Sequence, residues 1–168
     1  MKATLCCLLV ALFAVRSAGQ DDRMGETVKA QVEILVKATA ESQFDKVLAM
    51  LHAEVIKDVG GKEKALELMK AAMDTLKSQG LTLKVTEVGK PSLAKAGKSF
   101  YAIVPYTTEI TGKDSEVVVK TFLVGVSSDD GKTWTFINGN VGEAKLRKFL
   151  PELPKEPRLP ETKVEKKK

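Results

Sequence analysis

The sequence has very little of the chemistry that cysteine and histidine provide. Its 168 residues include two cysteines, Cys6 and Cys7, and one histidine, His52. Both cysteines lie within residues 1–19, which have the features of a signal peptide, so the mature chain contains no thiol. This excludes disulfides, cysteine nucleophiles and thiolate metal sites, and one histidine is too few for a typical zinc site. We therefore expect neither a metal ion nor a cofactor.

The chain also lacks an apolar run long enough to cross a bilayer. Its main apolar stretch, Leu5–Val15, follows Lys2 and precedes small residues at positions 17–19. A positive start, a short apolar core and a small-residue exit are typical of a secretory signal peptide. We predict cleavage after Gly19 and export to the periplasm or the extracellular space, with no stable membrane insertion afterwards. An uncleaved anchor is the alternative.

The region expected to fold carries almost no net charge. The formal net charge is +5, but Lys2 and Arg16 belong to the predicted signal peptide and the last three residues are lysines. The remaining charge is nearly balanced, so the high isoelectric point does not argue for nucleic acid binding. The sequence also lacks a phosphate-binding glycine loop, the paired-histidine motif of zinc proteases and the serine motif of esterases.

The hydrophobic periodicity changes from helical to strand-like at Gly80. Before this residue the pattern predicts helices at 25–40, 44–51 and 62–79, with 52–59 either a helix tail or a short strand. After it, alternating apolar residues predict strands at 81–86, 99–111, 115–127 and 132–138, followed by a short helix at 142–150. Residues 94–97 are predicted to be a loop. Pro105 lies inside one predicted strand, so we expect an edge position or a bulge there.

The chain is predicted to form one domain, residues 20–150, followed by an extended tail, residues 151–168. Four prolines recur every third residue in this tail, at positions 151, 154, 157 and 160. This spacing fits a polyproline II segment, which serves either as a stiff strap or as a recognition motif. Residues 161–168 are rich in lysine and glutamate, and we expect them to be disordered.

Three segments of the N-terminal half carry a family resemblance: Ser42–Leu48, Leu51–Val55 and Gly60–Leu66. With them, residues 27–138 resemble the nuclear transport factor 2-like superfamily, which includes ketosteroid-isomerase-like and polyketide-cyclase-like proteins, and are similar to its exported bacterial members. Ala53 stands where that family usually has proline. The resemblance implies an α+β fold with N-terminal helices packed on a curved four-stranded antiparallel sheet, a cone-shaped, cystatin-like layout around a cavity.

A second short pattern lies between the last two predicted strands. Residues 127–134 read Ser-Ser-Asp-Asp-Gly-Lys-Thr-Trp and resemble the Asp box of sialidase-type β-propellers. We expect Asp129 to accept hydrogen bonds from backbone N–H groups, Gly131 to adopt a positive φ, and Trp134 to pack beneath the turn. Because the pattern occurs once, it predicts a structural staple and not glycosidase chemistry.

Our leading hypothesis is an exported, non-enzymatic domain that binds a small apolar ligand or a protein partner. The residues expected to line a cavity are Phe44, His52, Tyr106, Phe122 and Trp134. No catalytic residue is assigned. The alternative is a small cofactor-free hydrolase, isomerase or cyclase that uses His52 or a tyrosine in the cavity. A third class is a structural or interaction domain whose interior is filled and which forms a homodimer through its sheet.

Overall fold

The computed structural model describes residues 18–167, so the predicted signal peptide lies outside the described residues except for its last two positions. The elements are α1 (Ala18–Ala40), α2 (Phe44–Met50), α3 (Ala53–Asp58), α4 (Lys62–Ser78), β1 (Thr82–Val88), β2 (Ser92–Ala96), β3 (Ser99–Thr111), β4 (Glu116–Ser127), β5 (Thr135–Asn138), a 3-10 turn (Gly139–Val141), α5 (Glu143–Phe149) and β6 (Lys163–Lys167). Within 18–167, no helix has the length and apolar character needed to span a bilayer.

The predicted α+β architecture is confirmed, with N-terminal helices packed on an open antiparallel sheet. Within residues 18–167 the sheet has six strands rather than four. Strands β1 and β2 lie end to end along the outer edge of β3, and β5 and β6 lie end to end along the outer edge of β4. Two of these strands were not predicted from the sequence. They are β2, where we predicted a loop, and β6, where we predicted disorder.

One end of the central hairpin, which β3 and β4 form, is covered on both faces. We call residues 99–104 of β3 and 122–127 of β4 the covered end; ten of these twelve residues are buried. Helix α1 packs on one face because its apolar residues recur every three or four positions. These include Met24, Val28, Val32, Leu35 and Val36, all buried. Helix α5 and the following chain pack on the opposite face through Leu146, Phe149, Leu150 and Leu153.

The other end of the same hairpin is covered much less. We call residues 106–111 of β3 and 116–120 of β4 the open end; only Thr108 and Val118 are buried among these eleven residues. Strand β1 flanks this end on one side and β6 on the other. Both flanking strands carry many exposed residues, and β6 is exposed throughout.

Pro105 lies in a central strand, not in the edge strand or bulge expected from the sequence. Its carbonyl oxygen accepts a hydrogen bond from the N–H of Gly89 at 2.8 Å, so its backbone is turned away from β4. Strand β1 ends at Val88 and β2 begins at Ser92. The missing N–H of Pro105 therefore falls at the gap between these two strands, where its loss costs no ladder hydrogen bond.

The C-terminal segment is part of the fold. We call residues 150–162 the strap. Leu153 of the strap is only 5% exposed and packs in the same core as α5. At the far end of the strap, the Thr162 hydroxyl lies 3.0 Å from Asn140 Oδ1, which also accepts a 2.7 Å hydrogen bond from the Thr121 hydroxyl. The strap thus joins α5 to β6, and the predicted disorder of 161–168 is wrong for residues 163–167.

Candidate functional site

The structure distributes the five cavity candidates over different parts of the fold. Phe44 lines a cleft between α2 and α4, Tyr106 lines a smaller pocket beside the strap, His52 precedes α3, and Phe122 and Trp134 are buried in two separate cores. The cleft and the pocket therefore contain one of the five candidates each. The chemistry available at each position follows from its local contacts.

Trp134 belongs to the predicted staple, and the expectations for that turn are confirmed. Asp129 accepts hydrogen bonds from the Thr133 N–H at 2.9 Å and from the Thr133 hydroxyl at 2.7 Å. These hydrogen bonds hold the pKa of Asp129 well below its ordinary value. Gly131 has a φ of +81°, and its carbonyl accepts a 2.9 Å hydrogen bond from the Trp134 indole. Gln31 of α1 accepts a hydrogen bond from the Trp134 backbone N–H, which fixes the turn to the helix.

Phe122 is 3% exposed and lies on the face of the sheet that α5 covers. Its ring fills the space above Gly139, where a Cβ atom would overlap the ring. Trp134 and Phe122 are thus both core residues, and they pack on opposite faces of the sheet.

His52 is the N-cap residue of the short helix α3. Its Nδ1 accepts a 3.3 Å hydrogen bond from the Glu54 N–H, and its own backbone N–H donates to the Phe136 carbonyl at 3.0 Å. Burial lowers the pKa of His52, partly opposed by the nearby Glu54 carboxylate. A neutral ring with Nδ1 as an acceptor fits the capping contact, and it leaves only Nε2 for any other partner.

Tyr106 lies in a pocket of about 230 Å³. Its hydroxyl accepts a 3.0 Å hydrogen bond from the Asn138 amide, and burial raises the pKa of the phenol. Lys120 and Glu161 lie at the same pocket, but Lys120 is paired with Glu165 of β6. At neutral pH this tyrosine is therefore a protonated, hydrogen-bonded group at the margin of the strap.

The larger of the two, the α2–α4 cleft, has a volume of about 460 Å³ and lies between the start of α2 and the exposed middle of α4. Its apolar part is formed by Phe44 and Leu66, both half-buried. Lys46 and Lys70 line the same cleft, and neither forms an ion pair with any residue in 18–167. The volume lies within the usual range of small-molecule sites, and the lining combines apolar surface with a few charged groups.

The cleft exists because α4 is poorly covered. Its apolar stripe includes Leu66, Met69, Met73 and Leu76, yet all four are only half-buried, and Ala65 is the single buried residue of the helix. The sequence predicted this helix from its stripe, but it did not predict that the stripe would stay partly open. Phe44 was the one member of the cleft that sequence reasoning found. Leu66, Lys46 and Lys70 were missed because they come from two helices and form no linear motif.

Neither the cleft nor the pocket offers a cluster of metal ligands: within residues 18–167, no group of three or more histidine, aspartate or glutamate side chains is placed to hold a metal ion. Comparison with protein-family models gives no match for this chain, and comparison with curated proteins gives no significant match.

Proposed function

We propose that this protein is an exported binding domain whose α2–α4 cleft takes a small apolar molecule carrying one anionic group. One observation carries the proposal: apolar surface from Phe44 and Leu66 lies beside two lysines, Lys46 and Lys70, that have no ion-pair partner within residues 18–167. An apolar body with a carboxylate or similar head would satisfy both features. The proposal is non-enzymatic and needs no cofactor.

The apolar part of the cleft accounts for a weak affinity. A ten-carbon chain that buries roughly 150 Å² of apolar surface gains about 4 kcal/mol. That alone corresponds to a dissociation constant of about 1 mM. Phe44 and Leu66 are already half-buried, so ordering them around a ligand costs less side-chain freedom than ordering fully exposed residues would.

The charged part favours a monoanion over a neutral or cationic molecule. Lys46 and Lys70 contribute two positive charges and Asp45 contributes one negative charge to the same cleft, which leaves one net positive charge. Exposed ion pairs are worth about 0.2–1 kcal/mol each, so two lysines would tighten binding by about tenfold. This contribution should weaken as the salt concentration rises.

The alternative of a small enzyme using His52 or Tyr106 stays a prediction. The capping role of His52 and the Asn138 hydrogen bond of Tyr106 give each side chain a structural function. Neither residue lines the α2–α4 cleft. The binding proposal therefore rests on residues that the enzyme hypothesis does not use.

Decanoate and decyltrimethylammonium, which share a chain length and differ in charge, test the proposal. Two-dimensional NMR titrations should show saturable shifts for decanoate at residues 42–46, Leu66 and Lys70, and about tenfold weaker binding of the cation. The double variant Lys46→Gln/Lys70→Gln should weaken decanoate binding about tenfold. A matched control, Lys98→Gln/Lys113→Gln, removes two lysines from turns outside the cleft. Shifts at another site, or equal affinity for both ligands, would contradict the proposal.

Export is the second part of the proposal, and it rests on the sequence pattern of residues 1–19. Mass spectrometry of the protein recovered from its host should find a mature chain that begins at Gln20, in the periplasmic or extracellular fraction. A chain that keeps Met1 and stays in the cytoplasmic or membrane fraction would contradict it.

A further inference from the structure

The C-terminal strand β6 is held on the sheet by backbone pairing with the edge of β4 and by ion pairs of exposed lysine side chains. All five of its residues are exposed, and Val164 is 63% exposed. It pairs antiparallel with residues 116–120 of β4. Glu165 forms a 2.9 Å ion pair with Lys120, and Lys167 pairs with Glu109 and Glu116. Exposed ion pairs contribute little, so β6 is expected to detach without unfolding the rest of the sheet.

The backbone direction of β4 at this edge follows from Pro105. Because Pro105 is turned away from β4, its opposite residue, Phe122, is turned away from β3. The register between β3 and β4 is regular, so Val118 and the other even-numbered residues of 116–120 also direct their N–H and C=O groups outward. In β6 the backbone N–H and C=O groups of Lys163, Glu165 and Lys167 therefore point toward β4. The backbone N–H groups of Val164 and Lys166 face solvent.

The edge that β6 occupies is complementary to itself. If two copies of residues 116–120 pair antiparallel about Val118, Glu116 of one copy faces Lys120 of the other, and Val117 faces Val119. The two outward-facing Val118 residues would then exchange both backbone hydrogen bonds across the two-fold axis. Opposite charges and β-branched residues directly across from each other both stabilise strand pairing.

We propose that β6 is a guard strand, and that the β4 edge beneath it pairs with the same edge of a second copy once β6 detaches. The strap tethers β6 to α5, which gives it an effective concentration of roughly millimolar at this edge. In the intact chain the tethered strand therefore outcompetes a second copy. A second copy is favoured over an unrelated strand because of the charges on this edge. Glu116 and Lys120 lie two residues before and after Val118, so in an antiparallel pair of identical strands each of them faces the opposite charge. The inference does not depend on the α2–α4 cleft.

Two full-length proline variants separate the guard role from general effects of proline. Lys163→Pro/Glu165→Pro removes inward-facing N–H groups and should detach β6. Val164→Pro/Lys166→Pro places both prolines where the N–H faces solvent, which an edge strand tolerates, and serves as the matched control. At a protein concentration of about 100 µM, the first variant should be dimeric by native mass spectrometry and light scattering. This concentration is below the effective concentration of the tethered strand, so the control and the unaltered chain should be monomeric.

Charge reversal then identifies the interface. In the Lys163→Pro/Glu165→Pro background, Glu116→Lys should weaken the dimer by at least about tenfold, because two lysines would face each other at both ends of the pairing. Adding Lys120→Glu restores opposite charges and should restore the dimer. A monomeric proline variant, a dimer indifferent to Glu116→Lys, or a dimer already present in the unaltered chain would overturn the proposal. Loss of folding in the first variant would also overturn it, since a guard strand with no buried residue cannot be required for folding.

Discussion

The covered end and the open end belong to the same two strands, yet they differ in what lies over them. Val104 and Val124 of the covered end are fully buried between α1 on one face and α5 on the other. At the open end, residues of the same type, such as Val117 and Val119, are only half-buried. Burial on both faces therefore depends on where the helices lie, because β-branched residues line both ends.

This difference separates the part of the molecule that holds the fold from the parts available for binding. Buried apolar area supplies most of the folding free energy, so the covered end should dominate stability. The open end and the half-buried stripe of α4 retain apolar surface that a ligand or a second copy can cover. The proposed ligand cleft and the proposed dimer edge both lie at these less covered parts of the molecule, and neither uses a residue of the covered end.

The largest expected effect comes from comparing two valines of β4. Val124→Ala removes a fully buried side chain at the covered end and should lower the free energy of unfolding by about 2–3 kcal/mol. Val119→Ala removes a half-buried side chain at the open end and should cost about 1 kcal/mol or less. Urea denaturation of both variants measures the difference. Equal losses would mean that the two ends contribute equally to stability, and that the helices over the covered end do not set its contribution.

A smaller effect is expected at the staple that joins the covered end to α1. Asp129→Asn keeps one acceptor oxygen but loses the charge and one hydrogen bond to Thr133, so its melting temperature should fall. Asp130→Asn is the matched control, because Asp130 is exposed and Asn also tolerates its positive φ of 59°. The folded-state pKa of Asp129 is lowered, so its contribution is present above the ordinary value of 3.8 and is lost in acid. The gap between the two variants should therefore narrow below pH 3.8, and a constant gap would contradict this assignment.

The smallest expected effect is a pH dependence from His52, which lies outside both ends of the hairpin. Its folded-state pKa is lowered from 6.5, so the unfolded chain binds the proton more tightly. Its contribution to stability is therefore complete above pH 6.5 and declines as the pH falls through the folded-state pKa. His52→Asn keeps a side-chain acceptor for the cap and removes the titration. Thermal unfolding between pH 7 and pH 5 should show a decline in the original chain that is absent in this variant.

Much of the fold could be predicted because its patterns are local. The bounds of β3, residues 99–111, and the turn chemistry of Asp129 and Trp134 follow from alternation and turn residues alone. Strand β2 was missed because Ser92–Ala96 has no β-branched or aromatic residue, and β6 was missed because three of its five residues are lysine. Both strands form because β3 and β4 offer them an unoccupied edge, which is a tertiary property.

The candidate site was harder to predict, for a different physical reason. Periodicity shows which face of α4 is apolar, but it does not show whether that face is covered. Phe44 was expected to line a cavity and does line a cleft, whereas Trp134, chosen for the same aromatic character, is a core residue. Lys46 and Lys70 have no ion-pair partner within residues 18–167, and this depends on which side chains surround them, which is known only once α2 and α4 are placed.

Native-state hydrogen exchange tests most directly whether the covered end carries the stability of this fold. The slowest amides should lie in residues 102–104 and 123–125 and should exchange only through global unfolding, with protection that follows the global free energy as urea is added. The amides of β6 should exchange through local opening, at rates nearly independent of low urea. Protection of β6 equal to that of the covered end, or fastest exchange at 102–104, would contradict the central role of the covered end.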